Sequence, residues 1–66
     1  MEVTVNGAPI DVPEGLTVRG LVVHLGWTEG PVAVEINRAI VPRASHEDHR
    51  VAPGDVVEIV HFVGGG

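Results

Sequence analysis

The sequence has no cysteine, no lysine and no tyrosine, and only one tryptophan and one phenylalanine among its 66 residues. Each shortage excludes something. Without cysteine there is no disulfide and no thiolate metal site, and no side chain on which the chain could form a thioester or persulfide. With four arginines against nine acidic residues, the formal net charge is −5. Nucleic-acid binding needs a basic footprint, and anionic membrane surfaces also attract basic segments. No nucleic acid and no membrane is therefore the expectation. The acidic balance suits solubility or a partner with a basic face. No spanning segment or signal-peptide core is present, which makes the cytoplasm the expected location. The scarcity of aromatics leaves the core to aliphatic side chains. Valine and isoleucine supply it, and β-branched residues favour strands. A chain this short makes one domain and buries about 60% of the surface it exposes when unfolded.

The pattern opens with a hairpin. Glu2-Val3-Thr4-Val5 alternates, Asn6-Gly7 is a strong two-residue turn signal, and Ile10-Asp11-Val12 alternates again. Val3, Val5, Ile10 and Val12 are expected to share a core face. Thr17 is a helix N-cap candidate. Val18, Leu21, Val22 and Leu25 follow at helical spacing, and Gly26 sits where a C-terminal cap glycine belongs. Gly20 weakens this helix by about 1 kcal/mol relative to alanine. Its missing side chain is expected to let a neighbouring strand approach. His24 lies off the apolar stripe and is expected to face solvent. Trp27 is expected to be a lid over one end of the core. Val32, Val34 and Ile36 alternate as a third strand, Asn37-Arg38 turns the chain, and Ile40-Val41 makes a short strand that Pro42 ends.

The segment from Ala44 to Arg50 is the most polar. Its His46, Glu47, Asp48 and His49 lack the closed ligand set of a zinc centre, so a solvated loop or a single helical turn is expected and no metal is assigned. Pro53-Gly54-Asp55 turns into the last strand, Val56 to Val63. Val57, Ile59 and Val63 are expected inward, and His61 at the margin. Val60 and Phe62 fall on the outward face with Glu58, where an apolar pair reads either as a contact patch or as a surface covered by another loop. A near-continuous apolar run suits an interior strand, so this one is expected centrally, beside the first.

The chain then runs Val63-Gly64-Gly65-Gly66. Glycine loses more backbone freedom on ordering than any other residue, and three in succession make a bare, flexible tail expected to lie beyond a domain of residues 1–63. Val63 to Gly66 can reach about 13 Å at ~3.3 Å each. Such a tail fits a narrow channel closed to any Cβ, with the Gly66 carboxylate as the reacting group. The alternative is a frayed end or a leftover linker.

Several blocks together carry a family resemblance. They are Val3-Thr4-Val5-Asn6-Gly7, Gly15-Leu16-Thr17-Val18, Val32-Ala33-Val34-Glu35-Ile36-Asn37 with Ile40-Val41-Pro42-Arg43, Gly54-Asp55, and Glu58 through Gly66. Over essentially its whole length the chain resembles the ThiS family, the sulfur carrier proteins of thiamin biosynthesis. Arg38 and His46 depart from the usual pattern, away from the tail. The resemblance implies an α+β, ubiquitin-like β-grasp fold: a mixed four- to five-stranded sheet with one helix packed on one face. It also implies a protein cosubstrate and not an enzyme. A ThiF-type adenylating enzyme would use ATP and Mg²⁺ to activate the Gly66 carboxylate. Sulfur from a cysteine desulfurase persulfide would give a thiocarboxylate, and a ThiG-type thiazole synthase would consume it. The chain itself would bind no cofactor and be a monomer when alone. Gly64 and Gly65 would form the tail, and Val60, Phe62, Ile40 and Val41 the docking surface, with Arg43 and the acidic residues orienting the encounter. The alternatives are a carrier for another pathway, such as the small subunit of molybdopterin synthase, a ubiquitin-like protein modifier, or a plain interaction module.

Overall fold

The computed structural model describes residues 1–62. The expected inward position of Val63, the tail Gly64 to Gly66 and the boundary between domain and tail fall outside the described residues. The chain folds in the order β1 (Glu2–Val5), β2 (Ala8–Asp11), α1 (Val18–His24), β3 (Val32–Ile36), β4 (Ala39–Val41), a 3₁₀ turn (Arg43–Ser45) and β5 (Val56–His61). The five strands make one mixed sheet in the order β2-β1-β5-β3-β4. β5 is central, parallel to β1 and antiparallel to β3, as its apolar run predicts. This is the β-grasp arrangement, with the last strand of the chain filling the slot between two hairpins.

Two tight turns set the hairpins. Asn6 (φ 50°) and Gly7 (φ 84°) link β1 to β2, and Asn37 (φ 51°) and Arg38 (φ 71°) link β3 to β4. Positive φ at both central residues suits the right-handed twist of the paired strands. Asparagine tolerates this region well, whereas Arg38 is held there at a cost of about 1–2 kcal/mol.

Helix α1 begins at Thr17, whose hydroxyl accepts from the Gly20 N–H at 3.1 Å. It ends with the Gly26 N–H donating to the Val23 carbonyl and the Trp27 N–H to the Val22 carbonyl. Gly26, at φ 81°, is the left-handed residue that lets this paired cap form. The stripe behaves as its spacing predicts: Val18, Leu21 and Val22 are buried, Leu25 is half-buried and His24 is exposed. Gly20 differs from expectation. A Cβ there would lie 3.2 Å from Leu16 Cδ2 and 3.4 Å from Thr17 Oγ1. The residues leading into the helix, not a strand, occupy the space.

The core lies between α1 and the inner sheet face and is wholly aliphatic. Val3, Val5, Val12, Val34, Ile36, Val41, Val51, Val57 and Ile59 meet the three buried helix residues there. Ile10 is only half-buried, because β2 is an edge strand. Pro9 belongs to the same edge, where a missing backbone donor is tolerated. Trp27 packs against the rim of the core, as a lid would.

The segment after β4 is less solvated than its composition suggests. His46 is buried at 8% exposure, and its Nε2–H donates to the Val41 carbonyl at 3.0 Å. The His46 carbonyl in turn accepts from Arg19 N–H, and the His49 carbonyl from Val18 N–H. This loop therefore fastens the helix start to the sheet edge. His49 stays exposed, and among the described residues no group of three or more histidine or acidic side chains is placed to hold a metal.

Candidate functional site

The site is the end of β5, where the chain runs toward the terminal glycines. Three groups grip the strand along its length. Asn37 holds its start: Oδ1 accepts from Val56 N–H at 2.9 Å, and the Asn37 N–H donates to the Val56 carbonyl at 2.8 Å. Asn6 holds its middle from the opposite side. Its Oδ1 accepts from Ile59 N–H at 2.8 Å and its Nδ2 donates to the Ile59 carbonyl at 3.1 Å. The Asn6 side chain thus imitates one more residue of β1 after the backbone has turned away into β2. Each asparagine makes a turn and also clamps β5: the Asn6 side-chain amide offers both the donor and the acceptor, whereas Asn37 combines its side-chain oxygen with its backbone N–H.

The third grip is at the exit. The loop between α1 and β3 closes around His61 and Phe62. The His61 ring lies over Trp27, with centroids 6.2 Å apart and planes 15° from parallel, and its Nε2–H donates to the Glu29 carbonyl. Phe62 N–H donates to the Pro31 carbonyl at 3.0 Å. Gly30 has φ 84°, and a Cβ there would stand 3.0 Å from the Phe62 carbonyl oxygen. Glycine is required here twice over, by backbone conformation and by the closeness of the strand. This collar holds His61 and Phe62, the last described residues, against the loop between α1 and β3.

Around the exit lies the outer face of the sheet. Phe62 is 55% exposed, Val60 56% and Ile40 76%. Val56 is also exposed on this face, so four of the five exposed large hydrophobic residues among those described share it, Val23 on α1 being the other. Val41 is a correction to the expected docking set. It is 5% exposed and belongs to the core, because alternation along β4 turns it inward once Ile40 faces out. Arg43 lies away from this face. With Arg19, His46 and Glu47 it lines a cleft of about 490 Å³ beside the start of β3. Gly64, Gly65 and Gly66, the expected reacting end, lie outside the described residues.

Sequence reasoning reads Asn6 and Asn37 as turn residues and misses their hold on β5. The signal available is that both two-residue turns begin with asparagine, where aspartate would serve the turn equally. It also misses the Trp27–His61 stack and the exit role of Gly30, since no local pattern joins residues that lie on different elements.

Comparison with known proteins gives a consistent family. Residues 2–66 match the family model of the ThiS family. The chain is 39% identical over 66 residues to a thiazole synthase of Magnetococcus marinus, and 41% identical to a thiazole synthase of Paramagnetospirillum magneticum. All of this chain is covered in both cases but only 20% of each relative, so the chain spans about a fifth of their length. Among solved structures, it superimposes on the crystal structure of the thiamine biosynthesis protein ThiS from Geobacter metallireducens. The TM-score is 0.84 at 38% identity, with both chains covered in full.

Proposed function

The chain belongs to the ThiS family, and from that premise we propose that it is a sulfur carrier of thiamin biosynthesis whose last residue, Gly66, bears the reacting carboxylate. The carrying observation is that the match runs through the terminal glycines and is accompanied by the same fold over the full length of a thiamine biosynthesis protein.

The proposed chemistry begins with a carboxylate, which is a poor acyl donor. In the site of a ThiF-type enzyme, a Gly66 oxygen attacks the α-phosphorus of ATP and displaces pyrophosphate. Mg²⁺ belongs to that enzyme and to its nucleotide. The acyl adenylate has a good leaving group. The terminal sulfur of a persulfide, supplied by a cysteine desulfurase, attacks the acyl carbon and releases AMP. A second thiol then cleaves the resulting acyl disulfide, leaving a thiocarboxylate on Gly66. A thiazole synthase of the ThiG type takes the sulfur for the thiazole ring. That two thiazole synthases each contain a segment similar to this chain supports this partner.

This chain contributes presentation. Gly64 and Gly65 have no Cβ to collide with the walls of a narrow channel. The asparagine clamps and the collar at Gly30 hold the root of the tail in one direction, which lowers the ordering that binding must supply. Val60, Phe62 and Ile40 form the apolar contact surface around that root. The protein is a cosubstrate in this scheme, and the sulfur it carries resides on its C-terminus, since it contains no cysteine on which to form a thioester or persulfide.

The test is intact mass after incubation with the adenylating enzyme, ATP and a persulfide source. The expected product has one oxygen replaced by sulfur, located at Gly66 by fragmentation. Deleting Gly66 abolishes the change and leaves the thermal unfolding curve as it was. Sulfur gained by the truncated protein would overturn the assignment of the reacting group, and conjugation to another protein would identify a modifier instead.

A further inference from the structure

Charge is unevenly distributed over this molecule. The outer face of the sheet carries Glu2 and Asp11, opposite each other on β1 and β2, and Glu35 and Glu58, opposite each other on β3 and β5. No arginine belongs to any strand. Arg19 is on α1, Arg43 in the 3₁₀ turn, Arg50 against the Gly15 carbonyl, and Arg38 in the β3–β4 turn. Like charges directly opposite on neighbouring strands oppose folding. The first pair is relieved, because the N-terminal ammonium lies 3.3 Å from Asp11 Oδ1. Among the described residues, no cation bridges to Glu35 or Glu58.

The register makes this second pair close. The Phe62 N–H bonds to the Pro31 carbonyl and the Asn37 N–H to the Val56 carbonyl. Counting inward by twos from either bond reaches Glu35 and Glu58 as a hydrogen-bonded cross-strand pair, with Cβ atoms about 5.5 Å apart. Ile40 continues the same row on β4, opposite Glu35. Val60 and Val56 stand on either side of Glu58 along β5, and Phe62 lies beyond Val60. Two uncompensated carboxylates therefore sit in the middle of the exposed apolar surface, beside the root of the tail.

We propose that Glu35 and Glu58 form a receptor for one cationic side chain, arginine or lysine, projecting from an apolar docking face of the thiazole synthase. This rests on the reading that the chain delivers sulfur to that enzyme. The choice of a cation follows from the two unbridged carboxylates, and the choice of enzyme from the thiazole synthases that contain a segment similar to this chain. A guanidinium spanning both carboxylates would make paired charge-assisted bonds and remove the repulsion between them. The free carrier keeps an unfavourable pair that is relieved only in the complex, and this makes the correct partner distinguishable from any merely apolar surface.

The inference predicts opposite signs for stability and binding. Glu58→Lys places a cation opposite Glu35, so the free protein melts a few degrees higher. The same variant binds thiazole synthase about tenfold or more weakly. Glu58→Gln weakens binding to a smaller degree, and raised salt weakens the wild-type complex more than it does the complex of either variant. The experiment is calorimetric titration of each protein into the thiazole synthase of the same organism, at low and high salt, beside thermal unfolding and sulfur loading at Gly66. Sulfur loading is expected to stay at the wild-type level. If wild-type protein binds and both variants bind equally well, the receptor is wrong while the carrier reading survives. A loss confined to sulfur loading would assign the face to the adenylating enzyme and overturn this proposal. If the wild-type protein shows no binding to thiazole synthase, the partner assignment fails, and the receptor with it.

Discussion

The two faces of β5 divide the work of the molecule between residues one position apart. Val57 and Ile59 point inward and are almost wholly buried, while Glu58, Val60 and Phe62 point outward and are exposed. All but Glu58 are apolar, so hydrophobicity does not distinguish the faces. Their surroundings do. The inner residues meet α1 and the neighbouring strands in a closed aliphatic core. The outer residues meet no covering element among the described residues, and they surround an unrelieved pair of carboxylates. One strand thus holds the fold together on one side and, on the other, carries the exposed surface proposed above for a partner.

Substitutions along this strand and its clamps measure how cleanly the faces are separated. The largest expected effect is on the inner face. Ile59→Ala removes buried methylenes from a small core and should cost about 2–5 kcal/mol of stability, read from urea unfolding. A much smaller loss would mean that the core relaxes into the space. Asn6→Ala comes next, at about 1–3 kcal/mol. It leaves the Ile59 N–H and carbonyl without their side-chain partner and removes a residue suited to positive φ. Amide exchange at Ile59 should speed up in this variant, whereas Asn6→Asp should keep the Ile59 N–H protected and lose only the bond donated by Nδ2.

At the exit, Gly30→Ala should cost about 1–2 kcal/mol, from left-handed backbone strain and a Cβ 3.0 Å from the Phe62 carbonyl oxygen. The informative reading is sulfur loading, which should slow by more than the stability loss accounts for, because the tail would start in a different direction. An unchanged loading rate would reduce the collar to a structural brace. The smallest effect on stability belongs to the outer face. Phe62→Ser should change unfolding by no more than about 0.5 kcal/mol, yet weaken partner binding by about 1 kcal/mol or more, as the loss of an aromatic contact does. A large loss of stability would erase the distinction between the faces.

Much of this was legible in the chain because it depends on short-range periodicity. Alternation placed Val57 and Ile59 inside and Val60 outside. Thr17 and Gly26 marked the helix ends, and the two asparagine-led turns marked the hairpins. Alternation also meant that only one of Ile40 and Val41 could face out, but a three-residue strand gave too little pattern to say which. Histidine on a polar loop reads as solvated, and His46 is instead buried because the Val41 carbonyl offers its ring a partner.

The sequence by itself determined the hairpins, the helix, the aliphatic core and the glycine ending, since each follows from the conformational preference or spacing of neighbouring residues. The tertiary structure alone decided that Asn6 reaches Ile59, that Trp27 lies against His61, and that Glu35 stands opposite Glu58. Those contacts depend on the register between segments far apart in the chain. Register is fixed when the whole sheet closes over its core, not by any local run of residues.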